Sequence, residues 1–167
     1  TIGDQRVNNY ALVAPDKETF VALVTEGQPP APSYFVYDAV LNRKDRPLLD
    51  ETAPLDALDL DAATRLVEAG AILLDGRTPE EFARGHLVGS VNVGLDGRYA
   101  EFAGSVVPSD VDIVLVADPG FEIEARNRLG RIGFDRVVGY LADPLAVMAE
   151  HPDRTARASR LTVPEFE

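Results

Sequence analysis

The chain contains no cysteine, no tryptophan, one methionine and only two histidines, His86 and His151. Without cysteine it forms neither a disulfide framework nor a thiolate zinc site, and it has no thiol to act as a nucleophile. His86 has neither a cysteine nor a second nearby histidine to share a metal with, so a structural role is expected for it. No apolar stretch approaches the roughly 18 residues that read as a membrane span, and no secretory signal is apparent. Positive charge is scarce as well: 16 lysines and arginines face 28 acidic residues, a net charge of −12 at pH 7. Such a surface repels phosphate backbones and anionic lipid, which argues against nucleic-acid and membrane partners. Cytoplasm is the default compartment.

What is present suffices for a core: 46% of the 167 residues are hydrophobic, enough for about one domain with an appendage. The opening Thr1-Ile2-Gly3-Asp4 lacks an initiating methionine, and we expect a processed or excised piece with further domains upstream. Residues 1–51 read as a domain tail and linker. Asp16 is placed to cap a helix over 17–26, with Phe20, Leu23 and Val24 on one face and Gly27 closing it. Gln28-Pro29-Pro30-Ala31-Pro32 then interrupts regular structure. Ser33-Tyr34-Phe35-Val36-Tyr37 is apolar and suited to packing on another surface, whereas residues 42–47 are polar and linker-like. Phe20, Tyr34, Phe35 and Tyr37 need burial that this segment cannot supply alone.

Residues 52–150 alternate helical and strand patterns. A helix is expected over 61–69, with Ala62, Leu66 and Ala69 on one face and Gly70 as its stop. Ala71-Ile72-Leu73-Leu74 has the wholly apolar look of a buried parallel strand. Thr78 caps a helix that Pro79 opens and Glu81 completes as a capping box. Further strands are expected over 90–93, 112–116 and 135–140, with a helix over 122–132 closed by Gly133. This alternation implies an α/β domain: a mostly parallel central sheet with helices on both faces, the 112–116 strand innermost, plus an N-terminal helical extension. Residues 151–167 read as a polar tail, with His151 solvated. Their apolar end, Leu161-Thr162-Val163-Pro164-Glu165-Phe166, would suit the start of a following domain.

Leu73-Leu74-Asp75-Gly76-Arg77-Thr78-Pro79-Glu80-Glu81-Phe82, followed by Gly85-His86-Leu87-Val88-Gly89-Ser90-Val91-Asn92-Val93, resembles the rhodanese family. That family reads Asp-x-Arg, then Glu with an aromatic, then Gly-His-Ile-x-Gly-Ala-x-Asn. The resemblance covers about residues 59–141 and gives Asp75, Arg77, Glu81, Gly85, His86, Gly89 and Asn92 a structural role. On physical grounds Asp75 and Arg77, at the end of a buried strand, must be paired or hydrogen-bonded. Gly85 suits a helix stop at positive φ, and His86 is expected to bond backbone and hold the turn.

In rhodaneses a cysteine directly after the central strand accepts sulfur as a persulfide, and backbone N–H groups of its loop stabilise the anion. The matching loop here is Ala117-Asp118-Pro119-Gly120-Phe121-Glu122, with Ala117 where the family's cysteine falls. Asp118, Glu122 and Glu124 place negative charge where an anion would sit, and Pro119 removes a donor N–H. The resemblance therefore implies a fold whose sulfur transfer is lost.

Thr1-Ile2-Gly3-Asp4-Gln5-Arg6, Asn8-Asn9-Tyr10 and Phe20-Val21-Ala22-Leu23-Val24 resemble the C-terminal end of glyoxalase II-like and persulfide dioxygenase-like members of the metallo-β-lactamase superfamily, which include fusions to rhodanese domains. That superfamily's His-x-His-x-Asp-His cluster is absent, so this chain carries no catalytic metal or cofactor; zinc or iron, where the parent has one, belongs upstream. The expected function is a non-catalytic rhodanese-like module that binds or stabilises within such a hydrolase, with the upstream hydrolase domain as its partner in the same polypeptide and room for a homodimer. Two alternatives stand beside it: a fragment of an active metal-dependent hydrolase or persulfide dioxygenase, and a free-standing regulatory domain whose acidic loop recognises a basic partner.

Overall fold

In the computed structural model the described residues are 1–28, 30–32, 34–45 and 49–159. The expected start of a following domain at 161–166 lies outside them. The chain divides into two compact units, Thr1–Ala31 and Pro32–Glu167.

The first unit holds two helices. In α1 (Ile2–Asn8) Thr1 and Asp4 form a reciprocal capping box. In α2 (Lys17–Thr25) the Asp16 carboxylate accepts from the Thr19 N–H at 2.7 Å. Neither helix has a buried residue, and Phe20 remains 41% exposed.

The second unit is an α/β domain built on five parallel strands in the order β1-β6-β5-β2-β4. These are β1 (Ala57–Leu58), β2 (Ile72–Asp75), β4 (Val91–Asn92), β5 (Ile113–Val116) and β6 (Val137–Leu141). β5 lies at the centre and all four of its residues are buried. Its side chains alternate between the two faces, as strand geometry requires. Ile113 and Leu115 join one core with Leu74, Tyr99 and Leu129, under α3 (Tyr34–Leu41), α6 (Tyr99–Val106) and α7 (Glu122–Gly130). Val114 and Val116 join the other with Ala63, Leu73 and Met148, under α4 (Leu60–Glu68) and α8 (Pro144–Glu150). A separate antiparallel pair joins β3 (His86–Leu87), which follows α5 (Pro79–Arg84), to β7 (Thr155–Ala156).

Several elements depart from the sequence reading. Helix α3 was legible only as an apolar segment. It belongs to the second unit, where Tyr34 is buried in the core and Tyr37 meets Phe134 edge-on at 6.3 Å. The turn that follows it is fixed by Arg126, a buried arginine of α7 that donates to the carbonyls of Asp50, Glu51 and Ala53. The expected 51/52 boundary therefore falls inside the second unit. Helix α6 has no side-chain cap, so no local signal marked it. The strand expected from residue 135 begins at Val137; just before it the Arg136 carbonyl accepts the Ile113 N–H at 2.8 Å and the Arg136 guanidinium pairs with Asp112 at 2.7 Å.

The topology positions the site. From β2 the chain proceeds to β4 on one side, whereas β5 and β6 lie on the other. The loops after β2 and β5 thus leave neighbouring strand ends in opposite directions, and an open parallel sheet forms a crevice at that point.

Candidate functional site

The crevice floor is stitched together by main-chain hydrogen bonds. The Gly76 N–H donates to the Val116 carbonyl at 2.7 Å, and the Leu95 N–H donates to the Gly76 carbonyl at 2.8 Å. The ends of β2, β4 and β5 are thereby held together. Beneath them lies the Asp75–Arg77 ion pair, with both side chains 1% exposed. The Arg77 guanidinium meets the carboxylate at 2.5 Å through Nη2 and 3.0 Å through Nε, and Nη2 also donates to the Gly85 carbonyl at 3.0 Å. The Asp75 carboxylate additionally accepts the Arg77 backbone N–H at 3.0 Å. A buried pair is tolerable only when its remaining donors and acceptors are satisfied in this way.

The other residues of the motif lock the surrounding turns. Asn92 donates from Nδ2 to the carbonyls of Asp75 and Arg77, both at 2.9 Å. Thr78 and Glu81 form the capping box of α5, and these bonds from Thr78 hold the Glu81 carboxyl below its usual range. The Phe82 carbonyl can only accept, so the His86 Nδ1 bonded to it at 2.8 Å carries the proton. The imidazole also stacks on the Phe82 ring at 3.7 Å. Gly89 turns the chain between β3 and β4 at φ +85°. Gly85 corrects the sequence reading: its φ of 175° is extended backbone open to any residue, and its carbonyl rather than its conformation serves the fold.

Ala117 follows β5 and is 2% exposed at the base of a pocket of about 410 Å³. Around it stand Asp118 and Phe121 from its own loop, Leu95 and Asp96 from the loop after β4, and Phe102 from α6. Burial is the main cause that raises the Asp118 carboxyl above its ordinary range; the nearby Glu81 and Asp75 carboxylates add to it, and Arg77 opposes it. The loop then turns at Gly120, whose φ of +93° favours glycine. The Gly120 N–H donates at 2.9 Å to Oε2 of Glu122. The N–H at the loop's turn, a natural donor to a bound anion, is thus filled by the protein's own carboxylate. Pro119 has no N–H to offer.

Not every expected acidic residue reaches the pocket. Glu124 turns along α7 to Arg128 at 3.6 Å. Conversely, Asp96 and Phe102 were not anticipated from the sequence. Arg128 helps place Asp96 by donating to the carbonyls of Leu95 and Gly97, while its guanidinium lies 5.4 Å from the Tyr99 ring centroid. Only the sheet order brings these residues to Ala117. Among the described residues no group of three or more histidine or acidic side chains is placed to hold a metal. No helix among them is long and apolar enough to cross a membrane.

Residues 59–143 match the model of the rhodanese-like domain. No curated protein matches the chain. Among solved structures, the fold is similar to a metallo-beta-lactamase from Staphylococcus aureus subsp. aureus COL, with a TM-score of 0.66 and 23% identity. That similarity covers 84% of this chain, which spans 39% of the longer one. The Alr3790 protein from Anabaena sp. is similar at a TM-score of 0.52 and 23% identity, over 62% of this chain and 94% of that one. The reduced CoADR-RHD of Bacillus anthracis is similar at a TM-score of 0.50 and 27% identity, over 61% of this chain and 18% of that one. With just over half its length matched by the family model, the chain belongs to the rhodanese-like domain family.

Proposed function

We propose that this chain is a non-catalytic rhodanese-like module, a binding or structural domain of a metallo-β-lactamase-type hydrolase. The observation that carries the reading is the absence of any cysteine from the chain; buried Ala117, at the base of the crevice, lies where the resemblance to rhodaneses puts the sulfur-accepting cysteine. No other side chain in the chain can carry a persulfide. Glu122, bonded to the Gly120 N–H, takes up a donor that would otherwise stabilise an incoming anion.

The parent hydrolase is suggested by the likeness to the S. aureus metallo-beta-lactamase. That likeness spans 84% of the chain, well beyond the rhodanese-like region. On this reading any zinc or iron is held by another part of the parent. Within the parent the module works as a rigid α/β body whose crevice recognises a partner group rather than transforming it.

The test is direct. The purified chain, given thiosulfate and cyanide, is expected to form thiocyanate only at the uncatalysed rate. Thiocyanate that rises in proportion to the chain and saturates with thiosulfate would sink the reading.

A further inference from the structure

Resting on the non-catalytic reading, we propose that the Ala117 pocket is a receptor for an arginine side chain presented by a basic protein segment. The pocket is of a size ordinary for ligand sites, but its chemistry is the reverse of an anion site. Two carboxylates, Asp96 and Asp118, line it, and among the described residues no lysine, arginine or histidine does. Of the cations close by, Arg77 is paired with Asp75, Arg98 with Glu101, and Arg128, which also donates to the Leu95 and Gly97 carbonyls, with Glu124. Glu81 lies near enough to add its own charge to the field at Asp118.

The apolar part of the wall includes two aromatic rings beside Leu95, Pro79 and Ala117. Phe102 is 53% exposed and Phe121 50%, both large rings at the rim of a concave surface. Phe102 already receives the Arg98 guanidinium at 5.5 Å from its centroid. Phe121 has no cation or ring neighbour among the described residues. A carboxylate beside an open phenyl face selects a planar, weakly hydrated cation on an apolar stem. That describes guanidinium better than ammonium, because guanidinium stacks on rings and bonds carboxylates bidentately. Leu95 and the Ala117 methyl offer contact to the stem. The chain's net charge of −12 attracts basic segments at longer range.

The probe is Nα-acetyl-arginine N-methylamide, titrated into the isotopically labelled chain and followed by amide resonances. Saturable shifts confined to Leu95, Asp96, Ala117, Asp118 and Phe121 are expected, weakening as salt is raised. Asp118→Asn or Asp96→Asn should each weaken binding about fivefold, and Phe121→Ala about threefold. Each variant must keep the dispersed spectrum of the wild type; if Asp118→Asn does not, Asp96→Asn decides. The neutral analogue Nα-acetyl-norleucine N-methylamide should bind at least about tenfold more weakly.

Equal binding of the neutral analogue would show a merely apolar pocket and overturn the proposal. So would an absence of saturable shifts at the solubility limit, or thiosulfate displacing the arginine probe from the same amides. A chain silent to both thiosulfate turnover and arginine loses this proposal and keeps the non-catalytic reading. A chain that makes thiocyanate loses that reading, whatever arginine does.

Discussion

Replacing Arg77 with methionine is expected to destabilise the α/β unit by about 3–5 kcal/mol, measured by denaturant unfolding with an unchanged m-value. The substitution keeps most of the apolar volume but leaves the Asp75 carboxylate inside the protein without its cation. The Gly85 carbonyl loses a donor as well. The cost is therefore that of an uncompensated buried charge, which far exceeds the net worth of an exposed pair. Combining Arg77→Met with Asp75→Leu should recover a large part of the loss, because the charge needing a partner is gone. The recovery is incomplete, since Asp75 also accepts the Arg77 backbone N–H. Strict additivity of the two single changes would show that the pair does not act as a unit.

Ala117→Cys is expected to give a thiol with a pKa no lower than the ordinary value of about 8.5. It should give almost no thiocyanate from thiosulfate and cyanide. Reactive cysteines draw their acidity from unoccupied N–H donors and nearby cations. At this position the side chain is buried, which disfavours a thiolate. It would stand next to the Asp118 carboxyl, itself raised chiefly by burial. The Gly120 N–H is already engaged by Glu122. Adding Glu122→Ala to Ala117→Cys frees that donor. A hydrogen bond to a charged group contributes about 1.5–3 kcal/mol, so the thiol pKa should fall by about one to two units. Absorbance titration of the thiolate and its alkylation rate against pH measure both quantities. A single Ala117→Cys variant whose thiol titrates below about 7 would contradict this account of the loop.

Much of this site could be read from sequence, and the boundary is physical. The capping box of Thr78 and Glu81 is a local device spanning four residues, so its letters determine its geometry. The buried strand Ile113–Val116 is marked by four consecutive apolar residues, as a strand covered on both faces requires. Asp75 and Arg77 were legible as charges in need of a partner, and they find it in each other. Gly85 was misread because a glycine after a helix suggests positive φ, whereas here an extended residue feeds directly into β3.

What could not be read depends on distance along the chain. Strand β1 is two residues long and lies at the sheet edge, with no burial pattern to mark it. Helix α6 lacks a cap, so the burial of Tyr99 and Ala103 that holds it is visible only in three dimensions. Asp96 and Phe102 reach Ala117 because β4 and β5 lie on either side of β2, an arrangement no local pattern encodes. Nor does sequence show whether Glu122 faces the pocket, as Asp118 does, or folds back onto its own loop.

That last contact is where the account is most exposed. An amide bonded to a carboxylate shifts its proton resonance as the carboxylate titrates. In the wild-type chain the Gly120 amide proton should move upfield as the pH is lowered and the carboxylate bonded to it is protonated. In Glu122→Gln the movement should vanish, while the same variant retains whatever response Asp118 produces at its own amide. A Gly120 resonance indifferent to pH, or one equally sensitive in Glu122→Gln, would mean that the loop's N–H is open to an incoming anion and that the claim of a loop closed to anions by its own carboxylate is wrong.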